Sequence, residues 1–309
     1  MTTFTKAAAT AAAGLTLVSM ATASAKPVTR DSHNERPKVQ LVAQLGARST
    51  ALDASPDPAG KVIYYTTGGE RPGIFRVPAA GGAQRTVLSG GPLRRPEGLA
   101  VSNDGKRLYV ADTRAGHILV VPVSGAKAHV LRGTAGTSPR GLEIQTRGGK
   151  ELVVYTGTAA DGTPAVLRIG AGGAARPSVV LKGAPLQRPD GVAISRAGVI
   201  YVTDHAAAGG LALRIDGSNV TTVASAIRLG HPAGIALTLD ETHLLVSSLN
   251  KATGTAQVVI VDLASGATSV FDDVIGSNKS AGGLHRARAA VPMGWADVRR
   301  PGRIYRVDP

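Results

Sequence analysis

Apolar and polar positions alternate in short runs along most of the chain, and the pattern is plainest from Arg95 to Gly125, RPEGLAVSNDGKRLYVADTRAGHILVVPVSG. GLAV and RLYVAD alternate apolar with polar or small residues, the period of two that sends successive side chains to opposite faces of a strand. NDG between them has the composition of a tight hairpin turn, and HILVVPV follows a second turn that contains Gly116. The stretch predicts three strands of an antiparallel meander. A small sheet that is apolar on both faces cannot be stable alone, so similar sheets must stack against it.

Related blocks recur. One begins near Ala51, with KVIYYT as its middle strand and GIFRVPAAGG as its third, and the Val77-Pro78 that ends this strand matches Val121-Pro122 in the stretch above. Others begin at SPRGLEI (138 to 144), RPDGVAI (188 to 194) and HPAGIAL (231 to 237), and the last begins at SAGGLHRA (280 to 287). Pro96, Pro139, Pro189 and Pro232 mark equivalent positions at a spacing of about 45 residues, the period of a β-propeller blade. The expected fold is all-β, a six-bladed β-propeller with four antiparallel strands per blade. Its ring would close by pairing the N-terminal VQLVAQL with the C-terminal GRIYRVDP. A β-sandwich does not repeat one block six times and is disfavoured.

Composition agrees with many short strands. Of 309 residues 43% are hydrophobic but only 3% aromatic, so the core must be built from Val, Leu, Ile and Ala. The 39 Gly and 18 Pro are spread too evenly for a linker and read as regular turns. There is no Cys, which excludes disulfides, thiolate metal sites and a Cys nucleophile.

Residues 1 to 25 read as a secretory signal peptide: Lys6, an apolar run from Ala7 to about Met20, and Ala-Thr-Ala-Ser-Ala ending at Ala25. Residues 26 to 37 are polar and expected to be disordered, and 38 to 309 form the propeller. No run approaches the roughly 18 apolar residues of a membrane span, so the mature chain is expected in the periplasm or outside the cell, as a monomer. The formal charge is +14, carried by 35 Lys and Arg that read as a solubilising surface. No nucleic-acid motif or aromatic-basic interleaving occurs, so no nucleic-acid partner is expected. The densest basic cluster, Arg286, Arg288, Arg299, Arg300, Arg303 and Arg306, could attract an anionic polymer.

The repeated x-P-x-G start, the DG-K-x-L-Y-V-[A/T]-D middle strand and the V-P-x-x-G end together resemble the six-bladed propellers of the SMP-30/gluconolactonase and NHL-repeat group. The resemblance covers nearly all of residues 38 to 309. It implies a scaffold that carries lactonases, other metal-dependent hydrolases and non-catalytic binding modules. It also implies that the residue between Pro and Gly in each block converges on one mouth of the central channel, where lactonase-type members hold a divalent cation, usually calcium. In this chain those residues are Leu52 or Asp53, Glu97, Arg140, Asp190, Ala233 and Gly282.

Three uses of this ring are open. Arg140 could pair with Glu97 and Asp190 in a structural network, or clamp an anionic substrate, or point away and leave Glu97, Asp190 and Asp204 to hold Ca2+ or another divalent cation. Asp112 and Asp204 end the strands YVAD and YVTD, where Asp commonly caps a turn. His205, His231 and His285 lie near blade starts, and a His there could serve as a general base. The resulting candidates are Asp190 and His285 for catalysis and Arg140, Glu143 and His205 for binding a small or anionic ligand at the channel mouth. Trp295, the only Trp, reads as packing. No G-x-S-x-G, H-E-x-x-H, P-loop or dinucleotide fingerprint occurs. The expected function is a divalent-metal-dependent lactone or ester hydrolase; the alternative is a non-catalytic propeller that binds a ligand or partner at a basic mouth.

Overall fold

The computed structural model describes residues 37–205, 209–271 and 281–309; residues 1 to 25, read as a signal peptide, and all but the last residue of the segment 26 to 37, read as disordered, lie outside them. Six four-stranded antiparallel sheets form a ring. Blade 1 comprises Thr50–Pro56, Val62–Gly68, Gly73–Pro78 and Arg85–Ser89; blade 2, Pro96–Val101, Arg107–Asp112, His117–Pro122 and His129–Val130. Blade 3 comprises Leu142–Arg147, Lys150–Thr158, Pro164–Gly170 and Ser178–Lys182; blade 4, Pro189–Ile194, Ile200–Asp204, Leu211–Asp216 and Asn219–Ser225. Blade 5 comprises Ile235–Leu237, His243–Leu249, Ala256–Asp262 and Thr268–Phe271. Blade 6 takes Leu284–Arg286, Met293–Asp297 and Arg303–Asp308 from the end of the chain and Lys38–Gln44 from its start. The two terminal strands pair antiparallel from Lys38 with Asp308 to Gln44 with Arg303, so the ring closes as the sequence predicts.

The apolar alternation has a direct structural counterpart. The buried core divides into six clusters, one at each blade–blade interface. Within KVIYYT, Tyr64 joins the cluster against blade 2 while its neighbour Tyr65 joins the cluster against blade 6. Period two therefore serves two neighbours at once, which is why a single blade has no stable isolated form. Trp295 is 2% exposed and packs between blades 5 and 6 with its ring centroid 6.3 Å from that of Tyr305, a core position.

The Gly of the x-P-x-G start has a steric cause. A Cβ at Gly98 would overlap the Arg140 carbonyl, and one at Gly141 would overlap the Asp190 carbonyl, because inner strands of successive blades nearly touch at the axis. The Gly141 N–H uses that proximity to donate to the Asp190 carbonyl at 3.0 Å. Each inner strand starts at one mouth of the channel, here the upper mouth, and ends at the lower mouth. The residue before the Gly is thereby delivered to the upper mouth in blades 2 to 6; the inner strand of blade 1 has no Gly.

Candidate functional site

At the upper mouth Asp190, at the start of the blade 4 inner strand, is fully buried. Its Oδ2 lies 3.2 Å from His205 Nε2, 3.2 Å from His231 Nδ1 and 3.2 Å from the Ala233 N–H, while Oδ1 is buried without a hydrogen-bond partner. Burial alone would raise the carboxyl pKa. The hydrogen bonds and charges of His205 and His231 outweigh it and hold Asp190 ionised far below the usual carboxylate range.

His231 also reaches blade 2. Its Nε2 lies 3.5 Å from Glu97 Oε1, and that carboxylate is held further by Arg95 Nε at 2.5 Å and the Thr113 hydroxyl at 2.6 Å. Hydrogen bonds to Asp190 and then Glu97 outweigh burial and raise His231 to about 9. Glu97 is itself lowered: desolvation opposes the charge, but His231, Thr113 and Arg95 favour it more.

The sequence candidates separate by position. Asp190 and His205 come together; Glu97 joins them through His231 rather than directly. Arg140 donates from Nη1 to the Pro189 carbonyl at 3.3 Å and makes no ion pair with Glu97 or Asp190. The partner of Glu97 is instead Arg95, because a side chain immediately before the Pro also faces the mouth. Asp204 accepts the Gln187 and Arg188 amides at 3.0 Å each, and Asp112 accepts those of Arg94, Arg95 and Ala115, so both brace loops.

His285 and Glu143 lie elsewhere. His285 is 6% exposed inside the channel, with Nε2 3.0 Å from Asp53 Oδ2 and Nδ1 3.4 Å from Glu143 Oε2, not beside Asp190. Glu143 continues to Arg288 Nη1 at 3.2 Å, toward the lower mouth. Asp53 is fixed by the Ala54 and Leu99 amides at 2.9 and 2.7 Å, so in blade 1 it is Asp53, not Leu52, that carries the polar group at the axis. The C-terminal arginines do not form one patch: Arg286 and Arg288 line the lower mouth, Arg299 and Arg300 fall in an upper loop, and Arg306 pairs with Asp308.

Asp190, His205 and His231 present three ligand atoms all within 4.8 Å of one another. Their 3.2 Å separations from the shared oxygen are close to the edge of a tetrahedron with metal–ligand bonds of about 2.0–2.1 Å. The far nitrogen of His231 lies 3.5 Å from Glu97 Oε1 and 3.2 Å from Arg95 Nη2, an outer pair of groups that fixes the orientation of the ring. Two imidazole nitrogens and one carboxylate oxygen suit zinc and its neighbours; calcium takes oxygen ligands. Two residues of this cluster, Arg95 and Thr113, were not assigned to a site from the sequence, and His231 was read only as a candidate general base. The signal for Arg95 and His231 was their place, since they occupy the same pre-Pro position in blades 2 and 5.

No family model matches the chain, and no curated protein does. Among solved structures, an X-ray structure described as that of a candidate gluconolactonase is similar over 88% of this chain and 92% of its own, with a TM-score of 0.61 and 10% sequence identity. The chain thus has the six-bladed propeller fold of a gluconolactonase-like structure.

Proposed function

We propose that the protein is an exported, metal-dependent hydrolase of lactones or related esters, with a zinc-type divalent cation held by Asp190, His205 and His231. The observation that carries the reading is the buried Asp190 carboxylate with both imidazoles on one oxygen and no partner on the other. Such a cation would supply Lewis acidity toward an ester carbonyl and a nucleophile at neutral pH. Around it, Glu97 orients His231, and Thr113 and Arg95 fix Glu97. Arg95 is about half exposed and Arg140 pairs with no carboxylate among the described residues, so both can attract an anionic substrate group to the mouth.

A second reading has its own support. His231, raised to about 9, is held between Asp190 and Glu97 and can neutralise the cluster as a cation without any metal. On that reading the propeller is a binding module.

Metal analysis and a lactone panel separate the two. The expected result is about one zinc per chain, lactone turnover that a chelator abolishes, and an affinity for zinc at least tenfold lower in His205→Ala. Absence of both stoichiometric metal and chelator-sensitive turnover selects the binding module. Export is checked independently: the mature chain recovered outside the cytoplasm is expected to begin at Lys26.

A further inference from the structure

The lower mouth holds a cavity of about 250 Å³ that shares no residue with the Asp190 cluster. Four blades contribute to it. Its lining brings together Ile194, Ile235 and Leu237, which belong to the blade–blade cores, and the charged Arg196, Arg286, Arg288 and Glu143. Two of these guanidinium groups are neutralised. Arg288 pairs with Glu143 at 3.2 Å, and Arg286 pairs with Glu241 at 3.0 Å. Arg196 donates to the Leu239 carbonyl at 2.6 Å, and among the described residues no carboxylate pairs with its side chain.

Three guanidinium groups against two carboxylates leave the cavity one positive charge. Each Arg has five N–H donors, and the bonds above engage at most two of them, so donors remain for an oxyanion. The fork geometry suits a carboxylate. From this arrangement we propose that the lower mouth is a second ligand site, taking a small monocarboxylate whose charge meets Arg196.

Calorimetric titration with sodium hexanoate, and with hexan-1-ol as its uncharged counterpart, tests this on the full chain. Arg196→Gln removes the unpaired charge, and Thr146→Trp places a bulky ring over the cavity; both positions are exposed, so folding is retained. Hexanoate is expected to saturate one site in the wild type and in His231→Ala, to bind at least tenfold more weakly to each lower-mouth variant, and to exceed hexan-1-ol by tenfold or more. The proposal is overturned by an absence of saturable binding to the wild type. It is equally overturned if hexan-1-ol matches hexanoate, or if His231→Ala abolishes binding that Arg196→Gln and Thr146→Trp retain.

Discussion

Asp190→Ala is expected to lower the unfolding free energy by about 3–5 kcal/mol and to abolish metal binding. The stability loss follows from burial: the carboxylate is fully buried and is the shared acceptor for His205, His231 and the Ala233 amide. Removing one partner of a buried ionic cluster strands the others, and His231 keeps a charge that only Glu97 then balances. Urea denaturation of metal-free protein isolates this term from ligand linkage. His205→Ala, which removes a partly exposed side chain from the same oxygen, should cost distinctly less. Equal losses in the two variants would show that Asp190 is not the centre of the cluster.

The second large effect concerns pH and the interior of the channel. His285 lies between Asp53 and Glu143; burial disfavours its charge, but the two carboxylates raise its pKa from an ordinary 6.5 to about 10. A base whose folded pKa is raised contributes stability in full below the unfolded value and loses it as pH rises through the folded value. Denaturation midpoints should therefore decline between about pH 6.5 and pH 10, by an amount on the order of 3–5 kcal/mol in free energy. The formal charge of +14 makes the test sharper, because deprotonation of other bases relieves self-repulsion and acts in the opposite direction. In His285→Gln the slope should become distinctly shallower, the remainder coming from His231, which is raised to about 9. A slope unchanged from that of the wild type would remove His285 as an origin.

Blade count, strand order and ring closure were legible in the sequence because each depends on a local rule repeated six times. Tyr64 and Tyr65 face opposite clusters for the same reason that KVIYYT reads as a strand, and Gly98 or Gly141 marks a point where neighbouring backbones meet. The site was legible only as a list of positions. Glu97 and Asp190 were placed at the mouth by the Pro-x-Gly start, yet nothing in their own blades says that His231, on blade 5, bridges them. Arg140 was weighed as the counter-charge from its slot in the ring, but its guanidinium satisfies a backbone carbonyl while the flexible Arg95 reaches Glu97 from one residue earlier. Side-chain direction at a crowded axis is set by which neighbour offers a free lone pair. Spacing along one strand does not encode that.

Closure of blade 6 by both ends of the chain also fixes how the molecule can be held. Lys38 and Asp308 are paired at the edge of one sheet, on the lower side of the disc. A tether or fusion attached at either end of residues 38–308 therefore leaves from the same point, and the opening that contains Asp190 faces away from it.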